Sequence, residues 1–155
     1  MRVQLAFLAE AATHTSSGSI AAIGIVIGRI NVLTLPLGVP RLDLVLSLIF
    51  DKEDLGREHV VIIRPIDPDG KQFLQETRSA FNSSIPERET GIVHSAIMSH
   101  NLVIFRSAGL YLFQVYVDES IVASVEYKVH LQTLAEAEEE RRLLGEEYSS
   151  REEVS

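Results

Sequence analysis

The sequence predicts an all-β chain, an antiparallel eight-stranded β-sandwich of Greek-key type followed by a C-terminal α-helix. Three observations carry that expectation. Between Ile121 and Leu131 the residues Ile121, Ala123, Val125, Tyr127, Val129 and Leu131 alternate with Val122, Ser124, Glu126, Lys128 and His130, the period of two that marks a strand with one buried face. Turn formers recur at roughly ten-residue spacing, with no helical period among them. After Leu131 the composition turns Glu-rich, and Thr133 stands three residues before Glu136, the capping-box spacing of a helix start.

The elements follow in order. Arg2–Glu10 is the first strand and Ile20–Val32 the second, joined across the turn formers His14–Gly18. Gly24 and Gly28 mark a bulge or a close backbone approach on that second strand. Residues 33–40, with two prolines and Gly38, read as a loop crossing between sheets. Arg41–Phe50 is the third strand, with Leu42, Leu44, Leu46, Leu48 and Phe50 on one face. Glu58–Ile66 is the fourth, turned at Asp67-Pro-Asp-Gly70 into Lys71–Arg78 as the fifth. Asn82–Glu89 is a polar connection whose Pro86 is unsuited to a central ladder. Ile92–Met98 and Leu102–Phe105 form one bent strand or two short ones, and the hairpin 109–131 closes the set. This gives a sandwich domain over 1–132, an acidic helix over 133–145, carrying the favourably ordered pair Glu138 and Arg142, and a disordered tail over 146–155.

Composition bounds the chemistry. At 155 residues the chain suits one domain with a sizeable core. Cysteine is absent, which removes disulfides, thiolate metal sites and a cysteine nucleophile and suits a reducing, cytoplasmic setting. Residues 133–155 hold eight carboxylates against three arginines, a net of −5, leaving −3 of the chain's −8 to residues 1–132. Neither part offers the basic footprint of nucleic-acid or anionic-membrane binding. Arg2 and the apolar run after it imitate a signal peptide, but Gln4 interrupts the run and the segment is shorter than the usual ~15–30 residues. Ile20–Gly28 falls well below the ~20 residues that span a bilayer.

The motifs that could carry chemistry read as structure. Asp67-Pro-Asp-Gly70 has the opening spacing of a calcium loop, but Lys71, Gln72 and Phe73 follow where further oxygen ligands would be needed. His94 and His100 on one continuous strand would stand about 20 Å apart, too far for one metal. No nucleophile elbow or phosphate loop is present, and Ser16, Ser17 and Ser19 beside His14 lack an orienting third group. No cofactor or metal site is expected. Tyr111, just after the turn-like Ser107-Ala-Gly109, fits a tyrosine corner, in which the phenol bonds backbone upstream.

The quoted segments resemble an uncharacterised family of small bacterial β-sandwich proteins, a domain of unknown function. The resemblance rests on Val3–Ala9, Ile23–Ile30, the Leu35-Pro-Leu-Gly-Val-Pro40 crossing, the Asp67–Gly70 turn and the hairpin strand Gly109–Asp118, and covers roughly 2–131. It implies the fold and supplies no catalytic residues. The closing hairpin is also immunoglobulin-like, which implies topology alone.

The expected function is a non-catalytic protein–protein interaction module or accessory subunit, self-associating or seating another protein. It would act through apolar residues on faces that should be wet, Val45, Ile49, Leu112 and Tyr116, and through Leu134 and Leu143 of the helix. The alternative is a small-ligand site at a loop end built from Ser16–Ser19, Asp67–Gly70 and Asp118–Ser120. A hydrolase ranks third, because it needs a His–carboxylate pair that the sequence does not display.

Overall fold

Nine strands and one α-helix occur among the described residues of the computed structural model, which describes 1–82 and 92–152. They are β1 (Arg2–His14), β2 (Ile20–Ile25), β3 (Arg29–Val32), β4 (Leu37–Phe50), β5 (Glu58–Ile66), β6 (Thr77–Asn82), β7 (Ile92–Phe105), β8 (Gly109–Val117), β9 (Ser120–Leu131) and α1 (Leu134–Glu152). A four-stranded sheet in the order β2-β1-β4-β7 packs on a five-stranded sheet in the order β3-β9-β8-β5-β6. The all-β sandwich with a C-terminal helix is the observed architecture.

Several details differ from the sequence reading. The strands number nine rather than eight because Ile20–Val32 breaks at Gly28 (φ 78°): β2 stays in the four-stranded sheet and β3 crosses to the other. There β3 pairs with β9 in parallel, Ile30 opposite Val129, so the sheets are not purely antiparallel. Lys71–Arg78 is not a strand. It touches β5 only through an isolated bridge, Ile66 to Gln72, and the pairing strand is β6, with Thr77 opposite Ile63. The third strand begins at Leu37 instead of Arg41, and Ile92–Phe105 is a single strand paired with it throughout. The helix continues through Gly145 to Glu152, where a disordered tail was expected, since an interior glycine costs a helix only about 1 kcal/mol and good helix formers flank it. Most of the polar connection, 83–89, lies outside the described residues.

The core lies between the sheets. Leu42, Leu44, Leu46 and Leu48 of β4 face Val61 and Ile63 of β5 and Phe113 and Val115 of β8, all buried. Truncating one of these leucines to alanine would cost roughly 2–5 kcal/mol. Tyr127 stacks flat on Phe105, with centroids 4.4 Å apart. Tyr111 forms the expected corner: its hydroxyl donates to the Ser107 carbonyl at 2.9 Å and accepts the Ser107 N–H at 3.2 Å.

Two irregularities shape the four-stranded sheet. Pro40 and Arg41 of β4, and Asn101 and Leu102 of β7, are consecutive exposed residues, so both strands change faces at the same point. Leu102 takes up the change with φ 53°. The sheet also forks. β1 pairs with β4 only as far as Ala9 opposite Asp43, then continues beside β2 to His14. Beyond the fork, β4 has no partner on its β1 side among the described residues. Asp43 closes the apex: its carboxylate accepts the Ala12 N–H at 2.7 Å and Arg41 Nε at 2.8 Å. Burial pushes the Asp43 pKa up, but hydrogen bonds from Arg41, Ser99 and Ala12 outweigh it and hold the group below the ordinary carboxylate range.

Candidate functional site

The two outer faces of the sandwich differ in chemistry. On the four-stranded sheet, register places Phe7, Val45 and Ile97 in one cross-strand row, with Leu5 beside Ser47 in the next row and Ile25 beside Ala9. Ile23 shares the Ile25 face, and Ile27 follows the inward-packed Val26. Leu5 is 50% exposed, Ile23 74%, Ile25 48% and Ile27 84%. The charges that register places on this face are the mutually neutralised Arg41–Asp43 pair at one end and Arg2 at the other.

The outer face of the five-stranded sheet is mixed. Leu112 and Tyr116 lie there half-buried, opposite Glu126 and Ile121. Arg64 covers the Tyr116 ring with its guanidinium 4.8 Å from the centroid, and its own charge is paired with Glu76 at 3.3 Å. That ring is already occupied by a cation from its own sheet.

The six expected contact residues therefore fall on three separate surfaces. Val45 and Ile49 share the outer four-stranded face, where Val45 is only 1% exposed beneath Phe7 and Ile97. Leu112 and Tyr116 lie on the opposite side of the sandwich. Leu134 and Leu143 are 71% and 53% exposed on α1, whose contact with the sheet is polar: Glu140 accepts Gln132 Nε2 at 2.7 Å and Asn31 Nδ2 at 3.3 Å. The sequence reading missed Leu5, Phe7, Ile23, Ile25, Ile27 and Ile97. The alternation of Ile23, Ile25 and Ile27 was the available signal.

The loop-end ligand site does not assemble. Asp67–Gly70 ends β5 beside the start of β8, where a side chain at Gly109 would meet Pro68 at 2.7 Å. Asp118–Ser120 lies at the opposite end of β5, with the Asp118 N–H on the Val60 carbonyl at 3.0 Å.

A His–carboxylate pair does occur. His59 is fully buried, with Nδ1 2.6 Å from Asp118 Oδ2 and Nε2 2.7 Å from the Asp54 carbonyl. A carbonyl only accepts, so Nε2 donates. Both nitrogens are engaged and the ring has no route to a substrate, so the pair braces the 51–57 loop against the β8–β9 turn. Burial acts to raise the Asp118 pKa, but the Val60 N–H and His59 outweigh it and hold the group low. Among the described residues no three His, Asp or Glu side chains come together as a metal site, and no helix is long and apolar enough to cross a membrane.

A family model described as a family of unknown function, DUF6941, matches residues 4–130. The chain belongs to DUF6941. The DUF6941 match covers all nine strands, apart from the first residues of β1 and the last of β9, and leaves α1 outside. No curated protein matches the chain.

Proposed function

We propose that this DUF6941 chain is a non-catalytic, cytoplasmic assembly module whose outer four-stranded face seats a second copy of itself. The carrying observation is the row Phe7, Val45 and Ile97 with Leu5, Ile23, Ile25 and Ile27 around it. This is an apolar sheet face whose charges are the paired Arg41–Asp43 at one end and Arg2 at the other, on a chain of net charge −8. Charged residues are depleted at interface centres, and large apolar patches on monomers are uncommon. Two copies of an acidic chain repel least through a face whose one carboxylate, Asp43, is paired with Arg41. A sheet face is also self-complementary under a two-fold axis, since two sheets stack about 10 Å apart with interleaved side chains. The helix is a second surface, with Leu134, Leu143 and Leu144 open to a different contact.

Light scattering coupled to size-exclusion chromatography tests the reading on the full chain. Wild type should run as a dimer at tens of micromolar. Ile25→Lys should run as a folded monomer, because Ile25 is half-exposed and contributes little to the core. A wild type that stays monomeric at every concentration overturns it.

A further inference from the structure

The fork in the four-stranded sheet opens a cleft of about 530 Å³. Ile30, Leu37 and Val39 supply apolar walls, and Glu10, Arg41 and Tyr127 supply the polar groups. The volume lies within the range of small-molecule sites, roughly 300–1,000 Å³.

Three features distinguish the cleft from a packing gap. The Tyr127 ring is buried, and its hydroxyl makes no hydrogen bond to a described residue. Glu10 shares the side of β1 that carries Leu8 and Ala12 but is exposed past the fork, and it makes no ion pair or hydrogen bond with a described residue. Gly24, at φ 64°, leaves the space that the Glu10 side chain fills; a Cβ there would stand 2.7 Å from Glu10 Cδ. The chain thus holds a carboxylate at the mouth of an apolar cleft and a phenol at its base.

The signs of these groups select the ligand. Arg41 is committed to Asp43 at 2.8 Å and Ser99 at 3.2 Å, leaving no unpaired cation among the described lining residues for an anion. Burial first and the Glu10 charge second raise the Tyr127 pKa, so the phenol stays a neutral O–H whose oxygen can accept. We propose that the cleft binds a small primary amine with an apolar body, its ammonium shared between Glu10 and Tyr127 and its body against Ile30, Leu37 and Val39.

The test titrates phenethylammonium into the full-length protein. Amide shifts in ¹H–¹⁵N spectra locate the binding, and calorimetry measures the affinity. Saturable shifts centred on Ala11 and residues 37–41 are expected, with binding weakened about tenfold by Glu10→Gln and a few-fold by Tyr127→Phe. Tyr127→Phe keeps the ring that stacks on Phe105, and circular dichroism confirms that both variants are folded. The proposal is overturned if cleft amides do not shift up to ~10 mM probe, if neutral 2-phenylethanol binds as tightly as the amine, or if neither variant weakens binding. Binding of a lysine-bearing peptide without binding of phenethylammonium also overturns it.

Discussion

Replacing Asp118 with alanine probes the buried His59–Asp118 pair. Asp118 Oδ2 lies 2.6 Å from Nδ1 of the fully buried His59, whose other nitrogen donates to the Asp54 carbonyl, and Oδ1 accepts the Val60 N–H at 3.0 Å. Alanine would leave the buried His59 Nδ1 and the Val60 N–H without the carboxylate that they face. Breaking a buried pair costs roughly 3–5 kcal/mol, but the Asp118 side chain is 38% exposed, so water reaches the vacated place and the expected loss falls to about 2–3 kcal/mol. For a chain of this size that is a fall in Tm of about 5–10 °C. Asp118→Asn keeps an acceptor and tolerates the turn residue's φ of 48°, so it should lose about half as much. Urea unfolding followed by circular dichroism at pH 7, repeated down to pH 3, reads both effects. A carboxylate depressed in the folded state stabilises above its unfolded value of about 3.9, and that contribution disappears as pH falls through the lower folded value. The gap between wild type and Asp118→Asn should thus be widest near neutrality and close in acid. An alanine variant within ~0.5 kcal/mol of wild type, or a gap that does not close, refutes the brace.

Other expectations follow from single features. Tyr111→Phe removes the corner hydroxyl and both of its backbone bonds, and should lower stability by about 1–2 kcal/mol in the same unfolding assay. Leu102→Gly should raise stability by about 0.5–1 kcal/mol, because a 68% exposed leucine at φ 53° carries left-handed strain and makes little core contact. Thr133→Ala opens the box in which Thr133 Oγ1 accepts the Glu136 N–H at 3.2 Å and Glu136 accepts the Thr133 N–H at 2.7 Å. Hydrogen exchange over the first turn of α1 should accelerate about fivefold, from a cap worth roughly 1 kcal/mol, with β-core amides unchanged.

Much of the fold was legible because half-buried strands write their burial as alternation. β8 and β9 do so, and Tyr111 and Asp67–Gly70 carry their turn chemistry locally. Central strand β4 does not, since Leu42 through Leu48 are all buried and no period separates its two faces. Val45 accordingly read as a wet-face residue, although Phe7 and Ile97 cover it from neighbouring strands. Asp43 is fully buried through partners on β1, β4 and β7, a state that no local pattern encodes. The His59–Asp118 pair spans 59 residues and forms only when β5 meets the β8–β9 turn. Gly24 and Gly28 did signal an irregularity, but the strand's move to the other sheet depends on the parallel partner waiting at β9.

That crossing has a mechanical consequence. β3 lies along β9 through four parallel pairings, from Arg29 with Lys128 to Val32 with Leu131, and the Gln132 N–H reaches the Val32 carbonyl at 2.8 Å. Tension applied through α1 would draw β9 along its own axis, loading those bonds in shear so that they share the force instead of opening one at a time. The N-terminal hairpin and the C-terminal strand are thereby buckled together at the point where a pull on the helix enters the sandwich.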